Sequence, residues 1–155
     1  MTARIVVTGF GCISSAGQTA EEFTEKLFSN ADTDSSTIKT ISLFDATSHA
    51  CQIAAEVPNY RPEQHFNKTE LKQLDRFSQF AILATDEALT RAQLTPDTLH
   101  PQKTAVVHGT SIGGQETIEH SYQQLFQEGK SRAHPFTIPK LLPSAATGHI
   151  AMKYG

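Results

Sequence analysis

Between Lys68 and Ala92, apolar residues cover nearly the whole circumference of a helix. Leu74, Phe77, Ala81, Ala84 and Ala88 recur at spacings of three and four, and Phe80, Ile82, Leu83 and Leu89 fill much of the remainder. An alanine-rich helix of this kind has no wide face to give to water and belongs inside a structure, with neighbours packed close. Asp75 lies near its start, where it either caps the helix or divides a short one from a longer one. A second stretch makes the same demand. From about Ser144 a helix begins whose one side carries only Ala145, Gly148 and Ala151, and it too is expected to be buried.

Two β-branched runs are the natural partners for those helices. Arg4-Ile5-Val6-Val7-Thr8 is stopped by Gly9, and Thr104-Ala105-Val106-Val107-His108 is stopped by Gly109. Both suit buried strands of a parallel sheet. After the first run, a loop with three glycines and two serines leads to Thr19 and Glu22, a capping-box pair, with Phe23 and Leu27 on one helical face. Ser29 to Thr40 reads as a polar loop, and Ile41–Asp45 and Ile53–Val57 as short extended pieces. After the second run, Ile118, Tyr122, Leu125 and Phe126 share a helical face that Gly129 ends as a C-cap. Pro135, Pro139 and Pro143 then predict an extended segment. The order strand, helix, helix, strand, helix, helix argues an α/β fold with a largely parallel sheet. Two strands are too few to cover these helices, so the apolar surface needs more partners than 155 residues supply.

Composition narrows the function classes. At 38% hydrophobic and 19% charged residues the chain is of ordinary globular type. Its net charge of −3 and the absence of any Lys/Arg run argue against nucleic acid or an anionic membrane as partner. No apolar stretch approaches the roughly 20 residues that span a bilayer. The opening MTARIVVTGFG reads as a strand and not as a signal peptide. Cys12 and Cys51 form neither a metal spacing nor a disulfide framework, which makes a reducing, cytoplasmic setting the default expectation.

Gly9-Phe10-Gly11-Cys12-Ile13-Ser14 invites comparison with a dinucleotide fingerprint. Ser14 stands where the third glycine belongs, however, and about 20 residues on there is a polar loop instead of a strand ending in an acid. Gly109-Thr110-Ser111-Ile112-Gly113-Gly114 lacks the Gly-Lys-Ser/Thr ending of a phosphate loop, and reads better as a tight strand-to-helix passage. The seven histidines, His49, His65, His100, His108, His120, His134 and His149, contain no HxxxH or HxH pair. His108, at a strand end, is the most suggestive of them, but a packed histidine is the ordinary reading. Cys12 in its glycine loop likewise reads as a buried structural thiol without a placed base.

Four segments, in order and spacing, resemble one family. RIVVTGFGCISSAG resembles the opening strand and loop of the β-ketoacyl-acyl-carrier-protein synthases, and LDRFSQFAILATDEAL resembles their long buried helix. VVHGTSIGG resembles the second strand with its glycine turn, and HPFTIPKLLPSAATGHIAMKYG the segment leading to the catalytic cysteine. The resemblance covers essentially the whole chain and is nearest the elongating, KAS II-like branch. It implies an α/β, thiolase-like fold, with layers in the order α-β-α-β-α built from two similar halves. Residues 1–155 would be an incomplete amino-terminal part of that domain.

The resemblance also implies a chemistry. A cysteine takes an acyl chain from an acyl carrier protein as a thioester, and two histidines assist decarboxylation of malonyl-carrier protein. No cofactor is needed. The cysteine follows shortly after the stretch matching Ala151–Gly155 and the histidines lie further on, so no catalytic residue is expected within this chain. Two acyl-pocket positions carry over. Ile112 matches a residue of the glycine turn that gates the acyl channel, and Ile138 one that reaches the pocket of the partner subunit. Thr137, often a large aromatic in the family, and Ser144, usually asparagine, depart from the pattern and bear on chain length. The implied partners are the carrier protein and a second synthase subunit, as a homodimer or as a heterodimer with a related subunit. A fragment of a non-catalytic chain-length subunit is the rival reading, and a free-standing nucleotide-binding domain the more distant one.

Overall fold

The computed structural model describes residues 4–29 and 36–155. Part of the loop expected over Ser29–Thr40 lies outside them, as do residues 1–3 of the opening run. The fold is organised around one long helix, α3 (Arg76–Arg91), whose residues from Arg76 to Leu89 are all buried or half-buried. Asp75 both caps it, accepting from the Phe77 amide at 3.3 Å, and separates it from the short α2 (Lys68–Gln73). α2 carries a complete capping box between Asn67 and Glu70.

The last helix, α6 (Ala145–Tyr154), packs on α3. Ile150 joins Ile82, Leu74 and Phe66 in the core, with Val106 and Tyr154 laid against them. Lys153 Nζ reaches Asp86 at 2.6 Å and the Tyr154 hydroxyl donates to the same carboxylate, which fastens the end of α6 to the middle of α3. Burial, reinforced by the Asp86 charge, raises the Tyr154 phenol above its ordinary value. The buried side of α6 is Ala145, Ala146 and Ile150. Of the small-residue stripe expected inside, only Ala145 is buried: Gly148 and Ala151 are exposed, and a Cβ on Gly148 would meet nothing within 4 Å.

The remaining helices are α1 (Ala20–Phe28), α4 (Gln115–Tyr122) and α5 (Thr137–Leu141). Thr19 caps α1 by accepting from the Glu22 amide at 3.1 Å, while the Glu22 carboxylate turns back to the amide of Gln18, one residue beyond the usual capping-box partner. Of the face shared by Phe23 and Leu27, Phe23 is half-buried and Leu27 exposed. α4 continues as a π-helix over Gln123–Gln127, and Gly129 ends it in the left-handed region at φ +67°. α5 occupies part of the segment that the three prolines predict to be extended. Pro139 is the third residue of that helix, where no intrahelical acceptor awaits its missing N–H, so the ring costs no hydrogen bond.

The sheet differs most from expectation. Among the described residues the only ladder joins β1 (Lys39–Thr40) and β2 (Ile53–Ala54), two antiparallel residues on each side. β2 falls within the expected piece Ile53–Val57, whereas β1 lies at the end of the stretch expected as loop, just before Ile41–Asp45. Arg4–Thr8 and Thr104–His108 have no regular structure, and no parallel sheet forms among the described residues. The reason is a shortage of partners. Ile5 is 95% exposed, Val7 87% and Val107 95%, so each β-branched run shows side chains to solvent where a flanking layer would lie.

Candidate functional site

The two glycine segments owe their glycines to different neighbours. The first lies along α3. A Cβ on Gly9 would stand 2.1 Å from the Ala88 carbonyl oxygen, and one on Gly11 would stand 2.0 Å from that of Ala84. Glu87, between those two alanines, reaches out of α3 to hold the loop. Its carboxylate accepts from the Cys12 amide at 3.0 Å and from the Ala20 amide, the first of α1, at 2.9 Å. Arg91 pairs with it at 3.2 Å. A phosphate would seek those same amides at a helix start, and here a carboxylate already has them. This geometry speaks against the dinucleotide reading.

Burial alone pushes Glu87 up, yet the Cys12 and Ala20 amides and the Arg91 guanidinium together hold its carboxyl below the ordinary range. A group depressed in the folded state contributes stability that is present above its unfolded pKa and lost as pH falls through the folded value. Glu87→Gln in the intact protein is therefore expected to cost about 1–2 kcal/mol at neutral pH. Thermal melts against pH should show the difference from wild type hold above the ordinary glutamate value of about 4.3 and vanish as pH falls through the depressed folded value. A difference that is constant across pH would remove the charge from this account.

The second glycine segment packs against α5. Gly113, at φ +79°, would place a Cβ 2.7 Å from the Leu141 carbonyl oxygen, and Gly114 would place one 2.7 Å from Leu141 Cα. The Gly114 amide donates to that carbonyl at 3.0 Å. The turn bearing Ile112 and the helix bearing Ile138 are thereby joined through backbone. Their side chains are open: Ile112 is 58% exposed and Ile138 62%, with Phe136 and Leu142 exposed nearby in sequence. Two clefts among the described residues, of about 680 and 560 Å³, are lined by neither isoleucine. Thr137 is buried at the first position of α5, and Ser144 precedes α6 without a side-chain capping bond.

No group of three or more histidine, cysteine or acidic side chains among the described residues is arranged to hold a metal. His108 lies 6.3 Å, ring to ring, from Phe77, with its Nδ1 buried and without a hydrogen-bond partner. His65 stacks on Tyr60, and burial lowers His149 below its ordinary value. Cys12 is half-buried and Cys51 exposed. No helix is long and apolar enough to cross a membrane among the described residues. Glu87 escaped the sequence reading, although an acidic pair, Asp86-Glu87, among alanines on a buried helix was an available signal. For Asp75 the sequence offers a cap, or a break between a short helix and a longer one, and both hold. Its second partner, Thr117, lies 42 residues away and nothing local announces it.

Residues 2–155 match the family described as the β-ketoacyl synthase amino-terminal domain. The chain is 35% identical over 152 residues to a 3-oxoacyl-[acyl-carrier-protein] synthase 2 of Staphylococcus aureus and 34% identical to one of Synechocystis. Each match takes in 98% of this chain but 36% of the relative's length. Among solved structures, the ishigamide ketosynthase/chain length factor superposes with a TM-score of 0.81 at 27% identity, over 96% of this chain and 36% of that one. A ketosynthase bound to a hexaketide, in complex with its type II acyl-carrier protein, gives 0.70 at 28% identity, over 100% and 41%.

Proposed function

The chain belongs to the β-ketoacyl synthase family, and on that premise we propose that it is the amino-terminal part of a condensing enzyme that elongates acyl chains. Its fold is the thiolase-like one of the ketosynthases it superposes on. The observation that carries the reading is the unbroken match over residues 2–155, which includes all four motif segments.

In the proposed reaction, a cysteine thiolate beyond Gly155 attacks the carbonyl of an acyl thioester on the carrier protein. The carrier's thiol leaves with a proton and the acyl group stays on the cysteine. Malonyl-carrier protein then loses CO₂, and the electron pair of the broken C–C bond becomes an enolate carbanion that two histidines assist. That carbon attacks the acyl-enzyme carbonyl, expels the thiolate and leaves a β-ketoacyl-carrier protein. A helix amino terminus favours the thiolate, and backbone N–H groups favour the oxyanion. Decarboxylation supplies the nucleophile, so no cofactor is required. The partners are the acyl carrier protein and a second synthase subunit, in a homodimer or a heterodimer. The test is the complete parent protein given acyl- and malonyl-carrier protein: β-ketoacyl product with matching CO₂ release is expected, and neither would appear if the reading were wrong.

Ile112 and Ile138 are the chain's own contribution, as walls of the acyl pocket. Their exposure in this chain fits walls whose other side comes from elsewhere. In the complete enzyme, Ile112→Phe is expected to reject long acyl primers while sparing short ones, and Ile112→Ala is not, because filling a gate excludes by size. Equal loss on all primers would take Ile112 out of the pocket.

A second reading is favoured by the neighbour that is itself a ketosynthase/chain length factor. The chain would then belong to a non-catalytic subunit that shapes product length. The first twenty or so codons after Gly155 in the parent gene decide between them, by presence or absence of the cysteine.

A further inference from the structure

Helix α4 begins at Gly114, which has no side chain to cap it. The space for one is already taken, since a Cβ there would stand 2.7 Å from Leu141 Cα, 2.8 Å from the Lys140 carbonyl oxygen and 3.0 Å from Asp75 Oδ2. The cap arrives from another helix. Asp75 Oδ2 accepts from the Thr117 amide at 3.0 Å and from the Thr117 hydroxyl at 2.5 Å, and Thr117 is the third residue of α4. The other oxygen, Oδ1, accepts from the Phe77 amide and caps α3. One carboxylate thus closes the amino termini of two helices.

Asp75 is 4% exposed and makes no ion pair among the described residues. A buried carboxyl group without a cation needs hydrogen-bond partners, and the two helix amino termini directed at it supply them. The arrangement has a consequence for the turn before α4. Gly113 and Gly114 have no side chains with which to hold their own conformation. The turn is tied down by the Gly114–Leu141 backbone bond, by a 3.3 Å bond from the Gly113 amide to the Thr110 hydroxyl, and, one turn on, by Asp75 through Thr117.

We propose that Asp75 is a positioning residue for acyl-chain length: through Thr117 it fixes the first turn of α4, and with it the glycine turn that presents Ile112. The proposal rests on the reading of Ile112 as an acyl-pocket wall. Without the Asp75–Thr117 bonds, the Gly114–Leu141 bond is left as the main restraint from outside the turn. Ile112 then yields to longer chains.

The test uses the complete parent enzyme with a graded series of acyl-carrier primers, comparing Asp75→Asn, Thr117→Val, Thr117→Ser and Ile112→Phe. Asp75→Asn and Thr117→Val are each expected to shift the long-to-short ratio of kcat/KM towards long primers by about tenfold, the scale of one charge-assisted hydrogen bond. Thr117→Val removes the hydroxyl bond and keeps the amide bond, so combining it with Asp75→Asn should shift the ratio no further than Asp75→Asn alone. Thr117→Ser keeps the hydroxyl and should keep the parental profile. If Asp75→Asn does not fold, Thr117→Val carries the test. Loss of activity that is uniform across primer lengths, beside an Ile112→Phe variant that does discriminate, would overturn the role of Asp75 and leave the pocket standing. An Ile112→Phe variant with an unchanged profile would overturn both.

Discussion

Isolated in dilute buffer, the 155-residue chain is expected to aggregate or self-associate instead of behaving as a cooperative monomer. The count of strands against buried helices already points there, and the structure shows where the shortfall lies. The helices expected to be uncovered, Phe77–Ala88 and Ala145–Met152, largely cover each other through the α3–α6 contact. The open apolar surface falls instead on the β-branched runs, at Ile5, Val7 and Val107, and on the periphery at Phe28, Phe126 and Met152. A large apolar side chain left in water forgoes roughly 1.5–3 kcal/mol of burial. Six of them reach on the order of 10 kcal/mol, comparable to the whole stability of a typical domain. Size-exclusion chromatography with calorimetry checks this. A dilute monomer with a single cooperative melt above about 50 °C, in the ordinary mesophile range, would show that this core closes unaided.

How much of this was legible in the sequence depended on how local each determinant is. The central helix, its Asp75 cap, the Thr19 cap of α1, the Gly129 stop and the start of α6 after Ser144 all appear where residue pattern placed them. Each is set by spacings within one or two turns. The strands failed for the opposite reason. A run such as Arg4–Thr8 states what a strand is made of, but a ladder needs a neighbour, and none of the described residues supplies one. α5 was missed because three prolines spaced by four look like an extended segment, although a proline in a first helical turn is permitted. For the candidate site, the sequence names the two segments carrying Ile112 and Ile138 but does not announce their junction through Gly114 and Leu141. The bonds that fasten the site to the core, Glu87 to Cys12 across 75 residues and Asp75 to Thr117 across 42, join positions that no local pattern relates.

The chain by itself is also expected to have no condensation and no malonyl-decarboxylation activity, and this is the larger effect in rate. The proposed chemistry needs a thiolate to hold the acyl group and two histidines to stabilise the developing enolate, and the family resemblance places all three beyond Gly155. What the chain does contain is poorly suited to stand in. The Cys12 amide, in the loop before α1, and the first amide of α1 are both bound to the Glu87 carboxylate. His108 packs beside Phe77 in a different part of the fold, and no histidine–cysteine pair is brought within hydrogen-bond reach among the described residues. Removing a covalent nucleophile from an enzyme lowers its rate by about 10⁴–10⁶-fold, and the loss of CO₂ lacks the two histidines that would assist it. The measurement is release of labelled CO₂ from malonyl-carrier protein, with the chain alone and with the complete parent at equal concentration. Background release from the chain beside turnover by the parent is the expected result. Turnover by the chain alone, abolished by Cys12→Ala, would place the nucleophile in the first glycine loop and overturn the assignment of chemistry to sequence beyond Gly155.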